Sequence, residues 1–234
     1  MDLLHYLASG VCAQRPAHTF AIGGRLLPLE ARMGGLFVGY LICLAYLTLL
    51  GRASATQLPR GWVAVALLAG VAATGLDGLN AYAFDLGALH LYAPTLPLRL
   101  ATGLVAGFGV AAFSLPALAG LVLAEGDPAP PFEAPEELLA GYLLLGTVQL
   151  ATQADLAPLY EPLAALQVLS IVVSLASAVL GALTLLAGRL RTARAWAEIA
   201  PLGGLSLAAA VALLFGLAAL RGYAETMLGI HWIA

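Results

Sequence analysis

Four ionisable residues stand where the chain enters or leaves apolar runs: Glu30 and Arg32 just ahead of the first run, Asp77 just after the second, and Arg99 at the start of the third. A charge at the edge of hydrocarbon is costly without a partner, so each marks a functional hypothesis with its partner expected close by. If the runs cross a bilayer in succession, all four come to one membrane face and could converge there. The chemistry open to such a group is recognition of an anion or a lipid headgroup through its Arg anchors. The competing reading is an ion-paired cluster that holds helix ends together, which the readiness of Arg to pair with carboxylates favours.

Other chemistry has little support. His5, His18, His90 and His231 all fall outside the centres of the apolar runs, whereas an axial ligand for haem or chlorophyll is expected at mid-helix. No HExxH, CxxC, GxSxG or phosphate-loop pattern occurs. Asp85, Asp155 and Glu161 read as solvated loop residues. Cys43 sits in an apolar run as a small hydrophobe, and two cysteines make no disulfide framework.

The elements that would position these residues are membrane helices. Apolar residues make up 62% of the chain and charged residues only 10%, too few to cover a water-facing surface. A bundle in lipid instead shows outside the same Leu, Ala and Val that fill its interior. The expectation is a single all-α domain, a polytopic bundle of about six spans at roughly 34–50, 61–76, 98–124, 136–151, 163–188 and 199–220. Pro116 would kink the third span near Leu115, and the Pro- and acid-rich stretch 125–135 reads as a loop. Residues 221–234, which mix aromatic, apolar and polar side chains, read as an interfacial tail.

The net charge of −3 and the lack of any basic run exclude a nucleic-acid footprint. The most basic short loops, Arg52 to Arg60 and Arg189 to Arg194, should face the cytoplasm of a prokaryotic inner membrane, with residues 1–33 and both termini outside. Arg15, Arg25 and Arg32 dissent from that orientation. The start of the chain lacks the basic leader of a signal peptide and reads as mature protein. There is also an internal echo: Leu27-Pro28-Leu29 precedes Gly35 and Gly39, as Leu96-Pro97-Leu98 precedes Gly103 and Gly107. Glycines four apart share a helix face and let two helices approach closely, a simpler reading than a transporter-type repeat.

Cys12-Ala13-Gln14-Arg15-Pro16-Ala17-His18-Thr19-Phe20, followed by Gly24, Pro28, Ala31-Arg32, Gly35 and Gly39, resembles a family of bacterial and archaeal membrane proteins, the domain of unknown function 2085. Asp77-Gly78 and Arg99-Leu100-Ala101-Thr102-Gly103 extend the likeness over roughly residues 10–110. The family pattern carries one His and three Cys, and the resemblance implies a metal or redox site there. Here Cys12 remains, the His is Ala13, and the two later Cys are Glu30 and Met33. Cys12, Glu30 and Met33 are thus candidate ligands of weakened character, and loss of the strongest ones points to a vacated site.

The reading that follows is a noncatalytic membrane protein, an accessory or structural subunit of a larger complex, with bound lipids expected and no cofactor. The alternatives are a small transporter or lipid- or anion-binding protein with a pocket at Arg32, Asp77 and Arg99, and a metal-dependent membrane enzyme.

Overall fold

The computed structural model describes residues 2–229. A short helix α1 (Leu3–Ser9) and a two-stranded hairpin, β1 (Ala21–Ile22) and β2 (Arg25–Leu26), precede six long helices: α2 (Ala31–Leu49), α3 (Gly61–Asp85), α4 (Leu96–Val122), α5 (Pro135–Gln153), α6 (Tyr160–Leu186) and α7 (Ala200–Leu228). The hairpin turns on Gly23 and Gly24, both at positive φ (56° and 78°), as a two-residue turn between right-twisted strands requires.

Helices α2, α3, α4, α6 and α7 are each long and apolar enough to cross a membrane. The least apolar, α5, runs the same distance beside them. Glu137 in its first turn bonds Arg52 beyond the end of α2, and Gln149 near its other end donates to the Pro97 carbonyl at the start of α4 (3.0 Å). At 1.5 Å per residue its 19 residues cover about 28 Å, close to the hydrocarbon thickness. Successive helices alternate in direction between an Asp77 end, where Arg32, Asp77, Arg99, Tyr160 and Arg221 lie, and an Arg52 end, where Glu137, Leu123, Ala193 and Trp196 lie. The protein is therefore a polytopic transmembrane helix bundle.

Two expected boundaries shift. The second span was expected to stop at 76, yet α3 continues past Asp77 to Asp85, because Asp77 and Asn80 interrupt the apolar run without interrupting the helix. Their polar atoms have partners: Asn80 accepts from the Leu91 backbone N–H (2.7 Å) and donates to the Tyr92 carbonyl (2.9 Å), tying the following loop onto the helix. The last span, expected to end at 220, continues to Leu228, so 221–228 extend α7 rather than forming a separate tail. The remainder of the expected tail, with His231, lies outside the described residues.

α4 sits at the centre, packing on α2, α3, α5 and α6. Its Phe108, fully buried, lies against Phe132 and Tyr142 (ring centroids 5.7 and 5.8 Å apart). The echoed glycines form one seam. A Cβ at Gly35 or Gly39 would overlap the carbonyl oxygen of Leu100 or Leu104, and a Cβ at Gly103 or Gly107 that of Arg32 or Leu36. The two helices run in the same direction and touch reciprocally, backbone against backbone, as small-residue pairs allow in lipid.

Candidate functional site

The groups expected to converge do so at the Asp77 end, but as two adjacent networks. In the first, Arg32, the second residue of α2, pairs with the 2%-exposed side chain of Asp77. Arg32 also donates to the Asp77 carbonyl (3.2 Å), and Tyr92 donates its hydroxyl to the second carboxylate oxygen (2.7 Å). Thr102 brings α4 in: its hydroxyl stands 3.5 Å from Asp77, and its carbonyl accepts from Thr74 of α3 (2.6 Å). Gly78 leaves room for the Arg32 guanidinium, 3.8 Å from where a Cβ would stand. Three helices are thus laced together around one carboxylate, and a charge so deeply placed needs this full set of partners.

The second network gathers Glu30 and Arg99, with neither bonded to Asp77 among the described residues. Glu30 closes the start of α2, and Arg15 grips it in a fork (3.0 and 3.1 Å) while also donating its backbone N–H (3.0 Å). His18 stands 3.6 Å from both Glu30 and Asp85, and Asp85 faces Arg15 and Arg99, each at 3.8 Å. Asp85 is exposed, as expected of a solvated residue, but it is the last residue of α3 rather than part of a loop and borders this network. Burial alone would raise the Glu30 carboxyl, but the hydrogen bonds and charge of Arg15 outweigh it and hold the group below its ordinary value. Burial, reinforced by the charges of Arg99 and Arg15, pushes the His18 imidazole below its ordinary value and keeps it neutral.

The N-terminal segment carries Arg15 and His18 into place. Gln14, at φ 60°, donates from its amide to the carbonyls of His5 and Pro28 (2.9 Å each). Pro16 opens the single helical turn that ends at His18, and Phe20 packs into the core. Beneath them the Leu29 backbone N–H donates to Gln167 of α6 (3.0 Å), and Arg221 of α7 caps the carbonyls of Ser9 and Ala13 (3.1 Å each).

The set Cys12, Glu30 and Met33 does not fit a metal. The Cys12 sulfur accepts from the Glu30 backbone N–H (3.4 Å), and burial pushes its thiol up, away from the thiolate a metal binds. The Glu30 carboxylate faces Arg15, and Met33 packs among Leu7, Leu29 and Ile171. What the arrangement can do is hold helix ends: three guanidinium groups (Arg15, Arg32, Arg99) meet three carboxylates (Glu30, Asp77, Asp85). Sequence reasoning missed Arg15, His18, Asp85 and Tyr92 as members; the only signal for the first two was their place inside the Cys12–Phe20 motif.

Residues 12–113, the stretch bearing α2, α3 and most of α4, match the family described as predicted membrane protein (DUF2085). The resemblance first read from the Cys12–Phe20 motif therefore holds across the N-terminal half, glycine seam and Asp77 networks included. No curated protein and no solved structure matches the chain.

Proposed function

We propose that this protein is a noncatalytic subunit of a larger membrane assembly. The observation that carries the reading is the charge balance at the Asp77 end: the buried Glu30, Asp77 and Arg99 and the more exposed Arg15, Arg32 and Asp85 face one another across helix junctions rather than an open site. Extraction from native membranes in mild detergent should bring companion membrane proteins with it; a lone monodisperse species would overturn the reading. We further place the Arg52 end in the cytoplasm, since Arg60, Arg189, Arg191 and Arg194 are exposed there, whereas Arg15, Arg32 and Arg99 at the other end face carboxylates. Labelling of single cysteines at positions 60 and 155 from either side of the membrane would check this.

One observation favours the anion- or headgroup-binding alternative. The Arg99 side chain is only 7% exposed, yet its nearest carboxylate among the described residues is Asp85 at 3.8 Å, too long for a strong charge-assisted bond. If that guanidinium serves a ligand, Arg99→Ala abolishes binding of an anionic headgroup and leaves the fold intact. A variant that fails to fold assigns Arg99 to the scaffold.

A further inference from the structure

The α6–α7 hairpin is pinned to the rest of the protein at its two ends, and α6 borders an open cleft against α2 and α4 in between. At the Asp77 end the pins are Gln167 to Leu29 and Glu161 to Arg25 (2.6 Å). At the Arg52 end Leu123 bridges Ala193, and the Trp196 indole donates to the Ala53 carbonyl (3.2 Å). Between the pins lie two cavities of about 560 and 380 Å³ that share Leu118 and Ser177 as walls, the first reaching Phe37 and Ser174, the second Arg52 and Trp196. The walls are almost wholly apolar. Ser174 and Ser177 turn their hydroxyls back to carbonyls of their own helix (2.7 and 2.9 Å), while the buried Ser114 hydroxyl has no partner among the described residues.

We propose that this cleft binds a membrane phospholipid, with one acyl chain lying along Leu118 and Ser177 and a zwitterionic, ammonium-bearing headgroup against Arg52 and Glu133. The cleft opens at the depth of the hydrocarbon, so its surroundings supply acyl chains rather than water. The charged groups lie only at the Arg52 end and the remaining walls are almost wholly apolar, the gradient of a lipid's head and tail. The polar mouth supplies the headgroup chemistry. Arg52 already meets two carboxylates, Glu137 (2.8 and 3.0 Å) and the half-exposed Glu133 (3.2 Å), so this edge carries net negative charge, which favours the ammonium of a dipolar head and disfavours an anionic one. Trp196 at the same mouth suits an interfacial depth.

The test is native mass spectrometry of the full chain purified in mild detergent. One retained phospholipid with an ethanolamine-type headgroup is expected. Ser114→Leu and Gly181→Phe should each lower its occupancy at least tenfold. Both enlarge a side chain into the cleft: Ser114 loses only an unpartnered hydroxyl, and a Cβ at Gly181 meets Leu118 at an ordinary 3.5 Å. Retention of detergent only, retention of an anionic phospholipid instead, or undiminished occupancy in both variants would overturn the proposal. Should the variants not fold, a Trp62→Phe, Trp232→Phe protein reports through Trp196. Brominated-chain phospholipid should quench it saturably near one equivalent, and quenching merely proportional to bulk lipid would refute the site.

Discussion

α2 meets α4 through four glycines, and α6 faces the same two helices with serines, yet the first contact leaves no room for a methyl group while the second leaves a cleft of 560 Å³. Small side chains on one helix therefore do not suffice for close approach. Gly35 and Gly39 lie opposite Gly103 and Gly107, so each backbone fits the gap in the other. Ser174 and Ser177 share the cleft walls with the large side chains Tyr40 and Leu118 rather than with glycines of α2 or α4. Reciprocity of the small positions closes the seam, and its loss opens the cleft.

Matched substitutions break the comparison most sharply. Gly107→Leu drives a side chain into the Leu36 carbonyl, a backbone atom that no rotamer change can move, and should yield no folded protein by size-exclusion chromatography. Gly181→Leu, the same change across the cleft, should leave the elution profile unaltered. Next in size, Asp77→Ala strips Arg32 of its partner at the end of the seam and should cost about 3–5 kcal/mol in detergent-based unfolding. A loss below about 1 kcal/mol would show the pair to be solvent-screened. Ser114→Leu in the cleft should stay within about 1 kcal/mol of the parent, since no hydrogen bond is lost.

The smallest effect is titration, which touches the charged end of the seam and leaves the glycines untouched. Glu30 and His18 both have their proton affinity lowered by folding, so the unfolded chain binds more protons than the native one as pH falls. Their contribution is complete above the ordinary histidine value of 6.5, and it declines on acidification, His18 first and then Glu30 below 4.5. Melting temperatures measured from pH 8 to 4 should fall in that order, and His18→Gln should remove the upper step. A melting temperature flat across the whole range would refute the assignment.

Much of this architecture is legible in the residues. The apolar runs locate the long helices, the glycine spacing foretells the seam, and Arg32, Asp77 and Arg99 announce a shared membrane face. The sequence hides what depends on chain reversal. Arg15 and His18 belong to the site only because Gln14 and the Gly23–Gly24 turn fold the first thirty residues back over α2, and no periodicity encodes that. Asp85 reads as a loop residue because two polar positions, Asp77 and Asn80, end the hydropathic run while the helix continues beneath them. The separation of Glu30 from Asp77 into different networks turns on side-chain reach, which spacing along the chain does not specify.

The parallel pairing of α2 with α4 also sets an order of events during synthesis. Parallel neighbours cannot follow one another directly, so α3 must traverse the bilayer before α2 finds its mate. Until α4 is made, Gly35 and Gly39 have no facing glycines, whereas the partner of Arg32, Asp77, is already present on α3. The Arg32–Asp77 contact needs only the hairpin of α2 and α3, so the groups that form it are both present before the chain that completes the seam has been made.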